Sequence, residues 1–151
     1  MDEEMARVDL EDDLGVAGRV SGWMVIGSIT LAAVPESVAE AREFASGVLG
    51  DGERADTAEL LISEACTNSV VHSESRFGGK FTLTLFAAGG VLRCEVVDEG
   101  GPTVPTRRDG AELRDSGYGV MLIETLADRA GYFTECGRLH TWFEFGQGVS
   151  R

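Results

Sequence analysis

Glu64-Ala65-Cys66-Thr67-Asn68-Ser69-Val70-Val71-His72 decides how this sequence is read. Ala65, Cys66 and Val70 continue the set Ala55, Ala58, Leu61 and Ile62 at three- and four-residue intervals, the recurrence of one helix face. The spacing predicts a helix that starts after the Asp51-Gly52 turn and runs to about residue 72. On it Glu64 and Asn68 lie four apart, so both side chains leave from the same side. Taken alone, that pair is a hydrogen-bonded couple on a solvated face. Its chemical weight comes from the rest of the chain.

Upstream, residues 23–34 are apolar or β-branched and read as a first strand ending at Pro35. Pro35-Glu36-Ser37 then starts a helix with Val38, Ala41, Arg42, Ala45, Val48 and Leu49 on one face and Gly50 as its stop. Downstream, residues 80–88 alternate through Phe81, Leu83 and Leu85, and after Gly89-Gly90 the run 91–97 reads as an antiparallel partner. Residues 98–116 are rich in Gly, Pro and charge, a loop longer than the usual connection and so a candidate lid. A third helix over 119 to about 130 and strands over 132–136 and 140–145 close the chain. Helices interrupted by antiparallel hairpins predict an α+β sandwich with the helices on one face of a sheet.

Two glycine-bearing segments flank the long loop. Asp98 ends a strand and is followed by Glu99-Gly100-Gly101-Pro102, an acceptor beside backbone that can approach a ligand closely because it lacks a Cβ. Ser116-Gly117-Tyr118-Gly119 immediately precedes the third helix, where unpaired N–H groups and the positive end of a helix dipole suit phosphate. Each signal is weak alone. Together they place a carboxylate, a phosphate cradle and a carboxylate/carboxamide pair around one gap.

Composition sets the outer bounds. The chain has 151 residues with 13 basic against 26 acidic side chains, a net charge of −13, which opposes nonspecific nucleic-acid binding. Residues 1–13 carry seven acidic residues against Arg7, so close to half of that charge sits in one solvated tail. The apolar runs are far below the roughly 18–20 residues that span a bilayer, and the acidic start is unlike a secretory signal; the expected location is cytoplasmic. Cys66, Cys94 and Cys136 have no metal-site spacing and read as reduced, mostly buried apolar residues.

The 64–72 segment resembles the N box of the GHKL, or histidine-kinase-like, ATP-binding superfamily. Asp98-Glu99-Gly100 resembles its first glycine box and Gly117-Tyr118-Gly119-Val120 its second. The likeness is nearest to the small anti-sigma-factor serine/threonine kinases, in which a histidine follows the N-box asparagine by four residues, as His72 follows Asn68. Residues 31–49 are similar to the family's opening strand and helix. Residues 122–131, with Ala127-Asp128-Arg129, are similar to its third helix. The resemblance covers residues 28–146.

It implies a Bergerat-type two-layer sandwich, in which three helices pack on one face of a mixed, mostly antiparallel sheet under a long ATP lid. It further implies that Asn68 coordinates Mg²⁺ on the phosphates of ATP, and that Asp98 accepts from the adenine amino group while Gly100 lets the base approach. Gly117 and Gly119 would cradle phosphates, Thr141 would lie near the adenine, residues 99–116 would form the lid, and Glu64 would act as general base. A carboxylate one helical turn from a metal ligand suits phosphoryl transfer, which is mostly positioning and charge neutralisation. The chain departs from the family pattern at Pro102, which takes the fifth position of the first box, and in a second box reduced to Gly117 and Gly119.

Other residues have plainer readings. His72 reads as a cap or packing residue, His140 as structural, and Arg129 as a charge favoured by the dipole at a helix C-terminus. Arg107, Arg108 and Arg114 either keep the loop soluble or supply one guanidinium to the γ-phosphate. Residues 1–22 are expected to be a flexible acidic segment, 23–147 the ATP-binding domain and 148–151 a tail. The leading expectation is a kinase that binds a sigma factor and phosphorylates an anti-anti-sigma protein on serine, with a homodimer possible. The alternative is a nucleotide-gated regulator that holds a partner without catalysis. A detached sensor-kinase domain fits less well, because His72 lies inside the N box.

Overall fold

The computed structural model describes residues 22–72, 77–100, 123 and 125–146. Seven elements follow in chain order: β1 (Met24–Ala32), α1 (Glu36–Leu49), α2 (Glu53–His72), β2 (Lys80–Ala88), β3 (Val91–Asp98), β4 (Arg129–Glu135) and β5 (Arg138–Phe145). The strands form one sheet in the order β1-β2-β3-β5-β4.

Connection geometry explains the pairing. Two helices separate β1 from β2, so the chain reverses an odd number of times and the strands meet antiparallel, with Leu31 opposite Phe81 and Ile29 opposite Leu83. β2 and β3 form a hairpin across Gly89 and Gly90, whose φ values of 57° and 83° are those of a tight turn twisted to match the strands. β4 runs in the same direction as β3, but β5 inserts between them and pairs antiparallel with both. Every pairing among the described strands is therefore antiparallel, and helices and sheet form the two-layer α+β sandwich that was expected.

α1 and α2 pack against each other, α1 against β1 and α2 against β3. α1 buries small residues, Ser37, Ala41 and Ala45, which lets it approach the sheet closely. That approach sets Phe44 and Val48 over Gly27, where an added Cβ would lie 3.0 Å from the Phe44 ring. α2 buries Ala58, Leu61, Ile62, Ala65, Cys66, Ser69 and Val70. Against them lie Phe81, Leu83, Leu85, Cys94, Val96 and Phe143, all at most 1% exposed. Burial of apolar area on this scale is the main stabilising contribution of the fold. Arg54 Nη1 donates to the Gly90 carbonyl at 2.7 Å and ties the start of α2 to the β2–β3 turn.

Three local expectations change. Of the third helix expected over 119–130, Ile123, Thr125 and Leu126 are helical, but Arg129 already lies in β4. Arg129 is thus a strand residue whose Nη1 lies 3.6 Å from Glu144 Oε1, not a helix C-terminal charge. Cys136 is exposed, not buried, because it occupies the β4–β5 turn with φ 56°. The expected acidic segment, apart from Gly22, and residues 148–151 lie outside the described residues.

Candidate functional site

The site is built where the end of β3 meets the last turns of α2. Along β3 the side chains alternate, so Leu92, Cys94, Val96 and Asp98 share the face on which the helices pack. Asp98 is the last of them and the polar member of an otherwise apolar row, only 3% exposed. Ser69 on α2 donates its hydroxyl to Asp98 Oδ2 at 2.5 Å. The Gly100 N–H donates to Asp98 Oδ1 at 2.6 Å. Each oxygen of the carboxylate is therefore held by one neutral donor, and each keeps acceptor capacity for a ligand.

Electrostatics separates this group from an ordinary surface carboxylate. Burial pushes the Asp98 pKa up, the bonds from Ser69 and the Gly100 N–H pull it down, the Glu99 charge raises it and His140 lowers it; burial prevails and the net shift is upward. A carboxylate raised by desolvation, with no cation in contact among the described residues, is a common mark of a functional site. Gly100 is required by the backbone, since its φ is 72° and an added Cβ would lie 3.0 Å from the Gly137 carbonyl oxygen in the β4–β5 turn. The close approach it permits is thus, in the first place, to the protein's own hairpin.

Glu64 and Asn68 are half-buried on α2, along one border of its buried stripe. The helix separates them by about 6 Å along its axis, and Asn68 immediately precedes the Ser69 that reaches Asp98. Thr141 lies on β5 opposite Val96, on the same sheet face as Asp98, whose own cross-strand partner is Leu139. Asp98, Gly100, the Asn68 turn of α2 and Thr141 are therefore gathered at one end of the sheet. Gly117, Gly119 and loop residues 101–116, including Arg107, Arg108 and Arg114, lie outside the described residues.

Ser69 is a site residue to which the sequence reading gave no role. Its signal was present: it is a polar residue on the apolar side of α2, three residues after Cys66 and four after Ala65. Cys66 itself is inert, since burial pushes its thiol up to about 12. His72 is exposed at the end of α2. His140 points to the opposite face, with Nδ1 3.2 Å from Glu95 Oε2 and its ring stacked on Phe133 at 4.5 Å.

With this arrangement in view, comparison with known proteins is decisive at the level of family. The profile of the histidine kinase-like ATPase domain matches residues 28–143. The chain belongs to that family. A curated relative, an anti-sigma F factor from Clostridium acetobutylicum, is 28% identical over 102 residues, which cover 63% of this chain and 71% of that protein. Among solved structures, the RsbU and RsbW domains of Rv1364c from Mycobacterium tuberculosis superpose with a TM-score of 0.57 at 17% identity. That match covers 82% of this chain and 35% of the other, so the chain spans about a third of its length and the likeness bears on the fold alone.

Proposed function

We propose that the protein is an ATP-binding serine/threonine kinase of the anti-sigma type, which holds a sigma factor and phosphorylates an anti-anti-sigma partner. The observation that carries the reading is the buried Asp98 carboxylate, held by Ser69 and Gly100 at the strand end where a family member would receive the base. A relative named as an anti-sigma F factor points to the same regulatory class.

In this reading Asp98 accepts the amino group of adenine, Thr141 supports the base from β5, and Gly117 and Gly119 offer backbone N–H groups to the phosphates. Mg²⁺ is commonly bound through one or two protein ligands plus substrate phosphates, and the half-buried Asn68, whose side-chain carbonyl is an oxygen donor, is the residue that would hold it. Bound there, Mg²⁺ supplies charge neutralisation on the phosphates. Glu64 takes the proton of the attacking serine hydroxyl as its oxygen bonds to the γ-phosphorus and the bridging oxygen leaves with ADP. A partly buried carboxylate one helical turn from Asn68 supports that role.

The alternative, a nucleotide-gated regulator without kinase activity, is favoured by Pro102 in the first glycine box and by the short second box. Transfer of labelled phosphate from ATP to a candidate anti-anti-sigma protein separates the two. The kinase reading expects transfer that Glu64→Ala abolishes while ATP binding persists. Undiminished transfer by that variant would remove Glu64 from the mechanism, and binding without any transfer would favour the regulator.

A further inference from the structure

Resting on the reading of Asp98 as the acceptor for the nucleotide base, we infer that Ser69 is a positioning residue, whose hydroxyl fixes the Asp98 carboxylate in the plane and charge state that read a purine amino group. Ser69 is 1% exposed, so its hydroxyl cannot turn to water, and its partner is Asp98 Oδ2 at 2.5 Å. An ionised carboxylate can only accept, so Ser69 is the donor. With the Gly100 N–H on Oδ1, the two bonds oppose rotation of the carboxylate about its own axis. Both donors favour the ionised form against the burial that disfavours it.

The consequence is selectivity. An ionised, oriented carboxylate accepts from the exocyclic amino group of adenine, whereas the exocyclic carbonyl oxygen that guanine carries in its place would set acceptor against acceptor with no water to relieve it. Without Ser69, Asp98 would protonate more readily and turn more freely, and it could then donate to that oxygen. The charged groups that act on Asp98 among the described residues are Glu99, next in the chain, and His140 on β5. Both are unchanged by substitution at 69, so a difference between wild type and variant isolates the hydroxyl. Through adjacent residues, α2 would then serve both ends of the nucleotide, Asn68 at the phosphates and Ser69 at the base.

Calorimetric titration of the full chain with ATP and with GTP, each with Mg²⁺, at about pH 6 and about pH 8 tests this, using wild type, Ser69→Ala, Ser69→Cys and Asp98→Asn. Ser69→Ala is expected to weaken ATP binding about tenfold, with the loss no smaller at the lower pH than at the higher, and to reduce the preference for ATP over GTP. Ser69→Cys, which fills the same space with a weaker donor, falls between the two and decides on the same criterion if the alanine variant does not fold. No loss at either pH, or a loss that leaves the preference for ATP over GTP unchanged, overturns the positioning role. Absence of ATP binding by wild type, or undiminished binding by Asp98→Asn, instead overturns the reading of Asp98.

Discussion

The two faces of the sheet both bury charge, and they do so in opposite ways. On the helix-facing side Asp98 is held by neutral donors, and burial raises its pKa. On the other side Arg93 and Glu144 are each about 5% exposed and meet at 2.7 Å. Around that pair Arg93 lies 4.4 Å from the centre of the Trp142 ring, Arg129 5.8 Å from it, and Arg93 Nη2 reaches Glu95 Oε2 at 4.0 Å. Gly131 sits beneath the ring, where an added Cβ would come within 3.0 Å of it. A charge matched by an opposite charge is satisfied by the fold itself. A charge matched only by neutral dipoles keeps an unmet preference, which a ligand can fill. The outer face thus reads as structure and the inner strand end as function.

The largest effect should come from breaking the matched pair. Arg93→Ala leaves Glu144 buried with Arg129 as its remaining cation among the described residues, and is expected to cost about 3–5 kcal/mol in urea unfolding, with nucleotide affinity unchanged wherever the fold persists. A parallel loss of affinity would mean that the two faces are coupled. Gly100→Ala places a side chain at positive φ and against the Gly137 oxygen; about 1–3 kcal/mol is expected, together with weaker nucleotide binding because Asp98 loses the alignment of its second donor.

Asp98 and its stability contribution follow a definite sign. Because its folded pKa lies above the ordinary carboxylate value, the folded state holds the proton more tightly, and ligand-free stability falls as pH rises from that value through the raised one. Asp98→Asn should remove this slope and leave the ligand-free protein slightly more stable near neutrality, as a urea midpoint series against pH would reveal. A slope of the opposite sign would mean that the Asp98 charge is already satisfied within the fold. The smallest effect is expected at Cys136, a non-glycine residue at φ 56° in a two-residue turn. Cys136→Asn, which suits the first position of such a turn, should raise stability by about 0.5–1 kcal/mol in thermal unfolding.

Periodicity was strong enough to expose most of the scaffold. The α2 stripe from Ala55 to Val70, the β2–β3 hairpin with its Gly-Gly turn and the helix ending at Gly50 are all local patterns, and the structure places each where the spacing predicts. Pairing between distant strands was not legible, because nothing local in 129–145 says that β5 inserts between β3 and β4. The early start of β4 was hidden for a similar reason, since Ala127-Asp128-Arg129-Ala130 continues a helical pattern. Asp128 instead turns the chain, its N–H donating to the Glu144 carbonyl at 2.9 Å and its carboxylate accepting from the Gly146 N–H at 2.5 Å. Of the candidate site, Asp98 and Gly100 were readable as types in a pattern. The link through Ser69 needed the third dimension, as did the outer network, where Arg93 and Glu144 are 51 residues apart.

The most direct check is the affinity of the protein for ATP with Mg²⁺, measured by calorimetry near neutral pH for wild type and Asp98→Asn side by side. Saturable one-site binding by wild type, weakened about tenfold to a hundredfold by the substitution while the variant melts no lower, is the expected result. Equal affinity in the two proteins, or no binding by a folded wild type, would contradict the assignment of the helix-facing strand end as the nucleotide site.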